Sequence, residues 1–226
     1  MKGFELGWNF LSNSDAVALI NQVTGSNYSY SASPVIEFPL TGSEAAYKTY
    51  YWPHRMGNDY WYNMGQPLDT HVETIISSGY KTVVSLRNNG EPTLRLSTDP
   101  SVGPVSNNEF SDSNGNYVVD AEKSAFEAAG AFFINMPVTG DASWTDIDNF
   151  LTQFVPAMKA AESRGAVLIH CASGYRSAGY TATYLAYSQG KCTSWALQQA
   201  ALVGFDFTKN TADQPVVDFM ASILKC

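Results

Sequence analysis

The chain has 226 residues, of which 45% are hydrophobic and 15% charged, a composition that can bury a globular core without cross-links. Its formal net charge of −8, with only 13 Lys and Arg residues, argues against the clustered positive surface that nucleic acids and anionic membranes require. No apolar run approaches the roughly 18 residues that span a bilayer. We therefore expect a soluble protein with no nucleic-acid partner and no membrane span.

The cysteines and the opening residues say little about cofactors or location. Cys171, Cys192 and Cys226 do not have the spacing of metal ligands, and neither a metal nor a cofactor is indicated. Cys192 and Cys226 can pair with each other or act as redox partners of Cys171, and the sequence does not decide between these roles. The first residues lack the pattern of a secretory signal. A content rich in Tyr, Asn and Ser would suit an exported protein whose signal has been removed, so an exported and a cytoplasmic location both stay open.

The first 60 residues are predicted to form an N-terminal extension that packs on the core, and residues 61–226 a catalytic domain. Within the extension, residues 14–25 have the pattern of a short helix, and residues 34–40 that of an edge strand bounded by prolines. Residues 47–65 are crowded with aromatic side chains, which we interpret as a platform packed on the core rather than a substrate-binding surface.

Helix and strand patterns alternate after this stretch. The predicted order is helix 68–79, strand 81–87, surface loop 88–119, helix 120–130, strand 131–138, helix 143–165, strand 166–170, and helices 177–190, 193–204 and 215–225. The third helix has one apolar stripe, made of Ile147, Phe150, Leu151, Phe154 and Met158. Repeated helix–strand units predict an α/β fold with a parallel central sheet flanked by helices on both faces. Ligands of such sheets bind beyond the carboxyl ends of the strands.

The most specific stretch, "LIHCASGYRSAGYT" at residues 168–181, lies at such a carboxyl end. The strand ends at His170 and a helix is expected to begin near Ser177, so residues 171–176 form the turn between them. Backbone N–H groups in a turn of this kind, together with the helix N-terminus, can bind an anion. The same surroundings favour the thiolate form of a cysteine.

Other residues of the turn fit the same chemistry. Gly174 permits an unusual backbone conformation, and Arg176 can give two parallel hydrogen bonds to an oxyanion. Ser177 is placed to donate to the sulfur of Cys171. The alternative is a buried structural cysteine, but the joint presence of His170, glycine, arginine and serine favours a functional one.

This loop resembles a known active site. "HCASGYRS" is similar to the H-C-x-x-G-x-x-R-S/T loop of the cysteine-dependent protein tyrosine and dual-specificity phosphatases, but this chain has one residue fewer between cysteine and arginine, namely Ala172, Ser173, Gly174 and Tyr175. The shorter form resembles the H-C-x-S-G-x-R loop of bacterial beta-lactamase-hydrolase-like phosphatases, and also the active loop of rhodanese sulfurtransferases. Residues 64–91 and 132–141 resemble upstream segments of the former family, so that the likeness covers about residues 60–205.

The resemblance implies a dual-specificity-phosphatase-like fold and hydrolysis of phosphate monoesters, phosphotyrosine among them, through a phosphocysteine on Cys171. Arg176 and the loop residues 172–175 would bind the phosphate, and Ser177 would help the sulfur to leave. The family's acid is an Asp after the preceding strand. Asp141 fits that position, although it is also typical of a turn residue before the next helix.

Several neighbouring residues have open roles. His170 either pairs with the thiolate or orients the loop through backbone contacts, of which we favour the second. Arg87 is either a second anion contact or a partner for Glu91. Asp146 and Asp148 are predicted to be first-turn helix charges, with Ser143 or Thr145 as the cap.

Two other functions stay open beside the phosphatase. A rhodanese-like sulfurtransferase would carry a persulfide on Cys171, would suit the shorter loop and would not need Asp141. A non-catalytic anion or phosphopeptide binder could use the same scaffold, but binding alone does not require a nucleophile. For a phosphatase, the substrate is a phosphorylated small molecule or protein, and the oligomeric state is not predicted.

Overall fold

The structure is a computed structural model that describes residues 54–57, 61–92, 110–139 and 144–224. All of these residues belong to one compact unit, Val35–Cys226. The helix predicted at residues 14–25, the strand at 34–40 and part of the aromatic stretch lie outside the described residues. The boundary and packing of the N-terminal extension therefore stay predictions.

Five strands of the described chain form one sheet in the order β1-β2-β5-β3-β4. Their bounds are β1 (His54–Arg55), β2 (Trp61–Met64), β3 (Thr82–Ser85), β4 (Phe132–Asn135) and β5 (Val167–His170). The last four are parallel to one another, whereas β1 pairs antiparallel with β2. The expected parallel sheet is thus correct for four strands and wrong for edge strand β1. The link from β1 to β2 is too short for the crossover that a parallel pair needs.

Helical segments connect the strands and follow the last one. They are a 3-10 turn (Asp69–His71) leading into α1 (Val72–Ser77), α2 (Val119–Ala128), α3 (Ile147–Asn149) continued by a π-helical turn (Phe150–Phe154) into α4 (Val155–Glu162), α5 (Tyr175–Ser188), α6 (Thr193–Leu202), and a 3-10 turn (Thr211–Asp213) leading into α7 (Gln214–Ile223). None of these described helices is long and apolar enough to cross a membrane.

The helix predicted at residues 143–165 is confirmed as the continuous segment from α3 to α4. Its cap differs from the expectation, because Asp146 itself occupies the N-cap position instead of Ser143 or Thr145. The Asp146 carboxylate accepts a hydrogen bond from the backbone N–H of Asn149 at 3.0 Å. An Asp side chain satisfies a free N–H group of the first turn in this way.

Two hydrophobic clusters lie on opposite faces of the sheet, because successive strand side chains point to opposite sides. The larger cluster lies under α4, α5, α6 and α7, and the smaller one under α1 and α2. Neighbouring strand residues divide between the clusters, with Trp61, Val84 and Ile169 in the larger and Tyr62, Val83 and Leu168 in the smaller.

The carboxyl ends of the parallel strands lie at one level of the sheet. Met64 of β2 and Ser85 of β3 are both register partners of His170 in the central strand β5, and Asn135 of β4 pairs with Ser85. The chain segments that follow β2, β3, β4 and β5 therefore leave the sheet side by side. The turn after β5 is flanked by the residues that follow β2 and β3.

Candidate active site

The turn between β5 and α5 is shorter than expected, because the helix begins at Tyr175 instead of Ser177. Gly174 is the N-cap residue with φ of 89°, a left-handed conformation that a residue with a Cβ atom rarely adopts. The Gly174 carbonyl accepts from the backbone N–H of Ala178 at 2.9 Å and from the Ser177 hydroxyl at 3.0 Å, which closes the first turn of α5. The partly positive N-terminus of α5 thus begins beside Cys171.

Cys171 is a free thiol with only 1% of its surface exposed. Its sulfur accepts a hydrogen bond from the Gly174 backbone N–H at 3.2 Å and lies 3.8 Å from the Ser177 hydroxyl oxygen. The single Ser177 proton is shared among several acceptors, since Gly174 O and Met64 O lie 3.0 Å and 3.5 Å from the same oxygen. Both donors are placed to stabilise negative charge on the sulfur when the thiol ionises.

Cys192 and Cys226 are the two remaining cysteines of the chain. Cys192 is the N-cap residue of α6 and is disulfide-bonded, whereas Cys171 is free. Cys192 is therefore not joined to Cys171. Cys226 lies outside the described residues.

One side chain of β2 and one backbone group after β2 hold the turn from outside. The backbone N–H of Gln66 donates to the Ala172 carbonyl at 3.1 Å, and the Asn63 amide donates to the Gly174 carbonyl at 3.2 Å. In a trans peptide the N–H group points away from its carbonyl. The amides of the residues that follow therefore point to the opposite side of the turn, the arrangement that binds anions.

The ring of His170 contacts the backbone of the turn. Its Nδ1 lies 3.4 Å from the Cys171 carbonyl oxygen, a contact in which the ring nitrogen donates. Its Nε2 lies 3.3 Å from a carboxylate oxygen of Glu122, within ion-pair distance but without hydrogen-bond geometry. These contacts fit the loop-orienting role that we favour for His170.

Glu91 fixes the guanidinium of Arg176. Nη1 and Nη2 of Arg176 donate to the two carboxylate oxygens of Glu91 at 2.6 Å and 2.8 Å, and Nη1 also donates to the Val138 carbonyl at 2.7 Å. Both side chains are mostly buried, with 15% and 20% exposed. The N–H on Nε takes part in none of these three bonds, so this group can donate to another acceptor.

Glu91 and Cys171 both affect the pKa of Arg176. Burial alone would lower the pKa of Arg176, but the hydrogen bonds and negative charge of Glu91 and Cys171 raise it. The sulfur and the guanidinium therefore belong to one site.

Glu91 also accepts a hydrogen bond from Arg87 Nε at 3.0 Å and from the backbone and side chain of Asn88. Burial would raise the pKa of Glu91, but Arg176 and Asn88 lower it to about 2. Glu91 is thus ionised at neutral pH, between two arginines. Of the two roles considered for Arg87, the structure shows the contact with Glu91.

Asp141, the expected acid, lies outside the described residues, so its role stays a prediction. The described residues on either side of it lie against the loop. The Val138 carbonyl holds Arg176, and the buried Trp144 ring packs edge-on against Tyr175 with ring centroids 6.3 Å apart.

The loop residues that we expected to bind phosphate have different surroundings. The Tyr175 hydroxyl donates to Asp213 at 2.6 Å, and its ring packs against Phe207 with centroids 5.1 Å apart. The Tyr175 side chain is therefore used in packing, and its contribution to an anion site would come from its backbone. Ala172 and Ser173 are both half-buried in the turn.

Sequence reasoning missed Asn63, Gln66 and Glu122 as neighbours of the loop. All three are fully or almost fully buried although they are polar. A polar residue inside an otherwise apolar strand, as in "WYNM", is the available signal for Asn63. Among the described residues, no group of three or more His, Cys, Asp or Glu side chains could hold a metal ion.

The chain shares its fold with several solved structures, a candidate phosphatase and Tk-PTP among them. One solved structure with this fold is P. aeruginosa TpbA, which is 19% identical to this chain over 76% of it and 90% of TpbA, with a TM-score of 0.50. Another is a candidate phosphatase (DUF442) from Shewanella putrefaciens CN-32, 14% identical over 77% of this chain and 93% of that chain, with a TM-score of 0.51. Tk-PTP in its active form is 15% identical over 75% and 96% of the two chains, with a TM-score of 0.50. No protein-family model and no curated protein sequence matches this chain.

Proposed function

We propose that this protein is a cysteine-dependent phosphatase that hydrolyses phosphate monoesters through a phosphocysteine intermediate on Cys171. One observation carries the proposal: a free thiol in the turn after β5 and the hydrogen-bonded Arg176 in the first turn of α5 lie together at the carboxyl edge of the sheet. The sulfur accepts the Gly174 N–H at 3.2 Å, and Glu91 fixes the guanidinium beside it. The fold shared with Tk-PTP and the DUF442 protein supports the same class of reaction.

The first step transfers the phosphoryl group to sulfur. The Cys171 thiolate attacks phosphorus, an S–P bond forms, and the bond between phosphorus and the leaving oxygen breaks. The loop amides and the Nε edge of Arg176 stabilise the negative charge on the other phosphate oxygens. We assign the proton that the leaving oxygen gains to Asp141.

The second step regenerates the thiolate. Water attacks the phosphocysteine, an O–P bond forms, and the S–P bond breaks. The Asp141 carboxylate takes a proton from the water, while Gly174 N–H and the Ser177 hydroxyl donate to the departing sulfur. The products are inorganic phosphate and the alcohol or phenol released in the first step.

The substrate is a phosphorylated small molecule or a phosphorylated protein, and phosphotyrosine is one candidate. Comparing aryl phosphates, alkyl phosphates and phosphopeptides on the wild-type protein would rank these classes. A higher kcat/KM for phosphotyrosine peptides than for phosphoserine peptides is the result that supports a tyrosine-specific enzyme.

The test of the reaction is turnover of p-nitrophenyl phosphate by the wild type, Cys171→Ser and Asp141→Asn. Glu162→Gln serves as a control, since Glu162 accepts hydrogen bonds from Trp61 and Tyr184, which belong to the larger hydrophobic cluster. We expect Cys171→Ser to abolish activity, Asp141→Asn to reduce it strongly, and Glu162→Gln to retain it.

The same preparations should be assayed for sulfur transfer from thiosulfate to cyanide. Thiocyanate formation that requires Cys171 but not Asp141, without phosphate release, would establish a sulfurtransferase and contradict the proposal. Binding of phosphate or a phosphopeptide without either reaction would instead indicate the non-catalytic binder.

A further inference from the structure

Glu122, in the first turn of α2, is a carboxylate that is completely buried behind the loop. It accepts hydrogen bonds from the Tyr117 hydroxyl and from Gln66 Nε2, the latter at 2.8 Å, and its Oε1 lies 3.3 Å from His170 Nε2. A buried carboxylate is costly unless donors surround it. Glu122 therefore requires this set of neighbours, and two of them contact the Cys171 loop.

Gln66 is the first of the two residues that connect Glu122 to the Cys171 loop. Its side chain is held at both ends, since Nε2 donates to Glu122 and Oε1 accepts from Arg87 Nη1 at 2.9 Å. Its backbone N–H donates to the Ala172 carbonyl at 3.1 Å. The position of Glu122 thus determines where Gln66 meets the loop.

His170 is the second connection. Its ring lies between Glu122, 3.3 Å from Nε2, and the Cys171 carbonyl oxygen, 3.4 Å from Nδ1. The two connections reach consecutive carbonyls of the loop, those of Cys171 and Ala172. Because each peptide unit is planar and trans, fixing these carbonyls also fixes the two amide N–H groups that follow them.

We propose that Glu122 is a positioning residue that, through Gln66 and His170, sets the orientation of the first two amides of the anion-binding loop. The inference rests on the proposed function, because it takes the loop to be a site for phosphate. It assigns Glu122 no contact with the substrate.

Tyr117 keeps Glu122 in place. Its hydroxyl also lies 2.9 Å from Ser85 Oγ, at the end of β3, and its ring lies 4.3 Å below the Arg87 guanidinium. Burial first, and then the negative charge of Glu122, raise the pKa of Tyr117, so that its hydroxyl stays protonated as a donor. Glu122 is thereby tied to β3, next to the central strand that carries the loop.

The test is calorimetric titration of inorganic phosphate into the full chain. For Glu122→Ala we expect the Kd for phosphate to rise about tenfold or more, the scale on which binding weakens when groups that orient direct ligand contacts are removed. Glu122→Gln should raise the Kd much less. The oxygen of the new glutamine side chain can still accept from Gln66. Its NH2 group then faces the Tyr117 hydroxyl, which can donate its own proton to Ser85 instead.

The variant Glu162→Ala is the control that separates a positioning role of Glu122 from a purely structural one. Glu162 accepts from Trp61 Nε1 at 3.2 Å and from the Tyr184 hydroxyl at 2.9 Å, so its removal also leaves buried donors without an acceptor. Urea unfolding should show a loss of stability in both alanine variants, but only Glu122→Ala should weaken phosphate binding. An unchanged Kd in Glu122→Ala, or an equal rise in Glu162→Ala, would overturn the inference.

If Glu122→Ala does not fold, Gln66→Ala takes its place, because it removes the same connection and keeps the backbone N–H. An unchanged Kd in that variant would also overturn the inference. Failure of the proposed function has a different result: the wild type would neither bind phosphate nor turn over p-nitrophenyl phosphate. Wild-type turnover with unchanged phosphate affinity in the variants rejects the role of Glu122 alone.

Discussion

Replacement of Glu91 by Gln removes the negative charge that holds Arg176 in place while keeping the size of the side chain. In the structure, Nη1 and Nη2 of Arg176 donate to separate Glu91 oxygens at 2.6 Å and 2.8 Å. Gln presents one oxygen and one NH2 group, and the NH2 group cannot accept from the second guanidinium nitrogen. The variant therefore loses at least one charge-assisted hydrogen bond, and Arg176 is held less firmly.

The expected magnitude follows from that one bond. A hydrogen bond to a charged group contributes about 1.5–3 kcal/mol, and the two side chains are only 15% and 20% exposed, so solvent screens the bond weakly. If this free energy is lost from the transition state, kcat falls about 10- to 100-fold. KM should change less, because removing a carboxylate near the phosphate also removes a repulsion that acts on the bound substrate.

Steady-state turnover of p-nitrophenyl phosphate measures this effect, with Glu162→Gln as the matched control because it makes the same substitution at a carboxylate away from the loop. The control should retain wild-type kcat. A Glu91→Gln variant with wild-type kcat and KM would refute the argument that Glu91 orients the arginine for catalysis.

Three further predictions concern stability. Because the pKa of Glu91 is about 2 in the folded protein and 4.5 as its ordinary value, its contribution to stability is complete above pH 4.5 and is lost as pH falls towards 2. Glu91→Gln should therefore lose less stability than the wild type between pH 5 and pH 3 in urea unfolding, and equal losses would contradict the prediction. Gly174→Ala should cost about 1–2 kcal/mol, because φ is 89° there, and should also lower kcat; unchanged stability would show that the turn adapts. In Gly179→Ala the new Cβ would lie 2.6 Å from Trp144 Cη2, an overlap that costs about 1–3 kcal/mol. Ala is the better helix former by about 1 kcal/mol, so a net gain in the urea midpoint would mean that Trp144 moves without cost.

Two of the strands that the sequence predicts, β3 and β5, contain β-branched residues, which β2 lacks. β3 and β5 contain runs of β-branched and aliphatic residues between glycine-terminated helices, and both were confirmed, as was β4. β2 has the sequence "WYNM", with no β-branched residue, and its strand geometry comes from pairing with β5. In the aromatic stretch, Trp61 and Tyr62 are buried in the sheet, as the interpretation of a platform packed on the core predicts.

In the candidate site, too, the sequence predicts the residues that are contiguous along the chain and misses those that are distant from the loop. Cys171, Gly174 and Arg176 were found because they are contiguous and their spacing resembles a known loop. Asn63, Gln66 and Glu122 are distant from the loop in sequence. Asn63 and Gln66 reach it because the register of the parallel strands aligns the ends of β2 and β5, whereas Glu122 lies in α2 and contacts Gln66. The predicted start of α5 is two residues late, because Tyr175 and Arg176 have no capping pattern and the left-handed Gly174 begins the helix.

The most direct test of the account is to trap the covalent intermediate. The wild type would be mixed with p-nitrophenyl phosphate, quenched with denaturant before the steady state, digested with trypsin, and peptide 165–176 examined by mass spectrometry. We expect a phosphoryl group on Cys171 that disappears when the substrate is exhausted. Turnover with no phosphate on Cys171 at any time would contradict the phosphocysteine mechanism, and a persulfide on Cys171 after thiosulfate, without phosphatase turnover, would establish sulfur transfer instead.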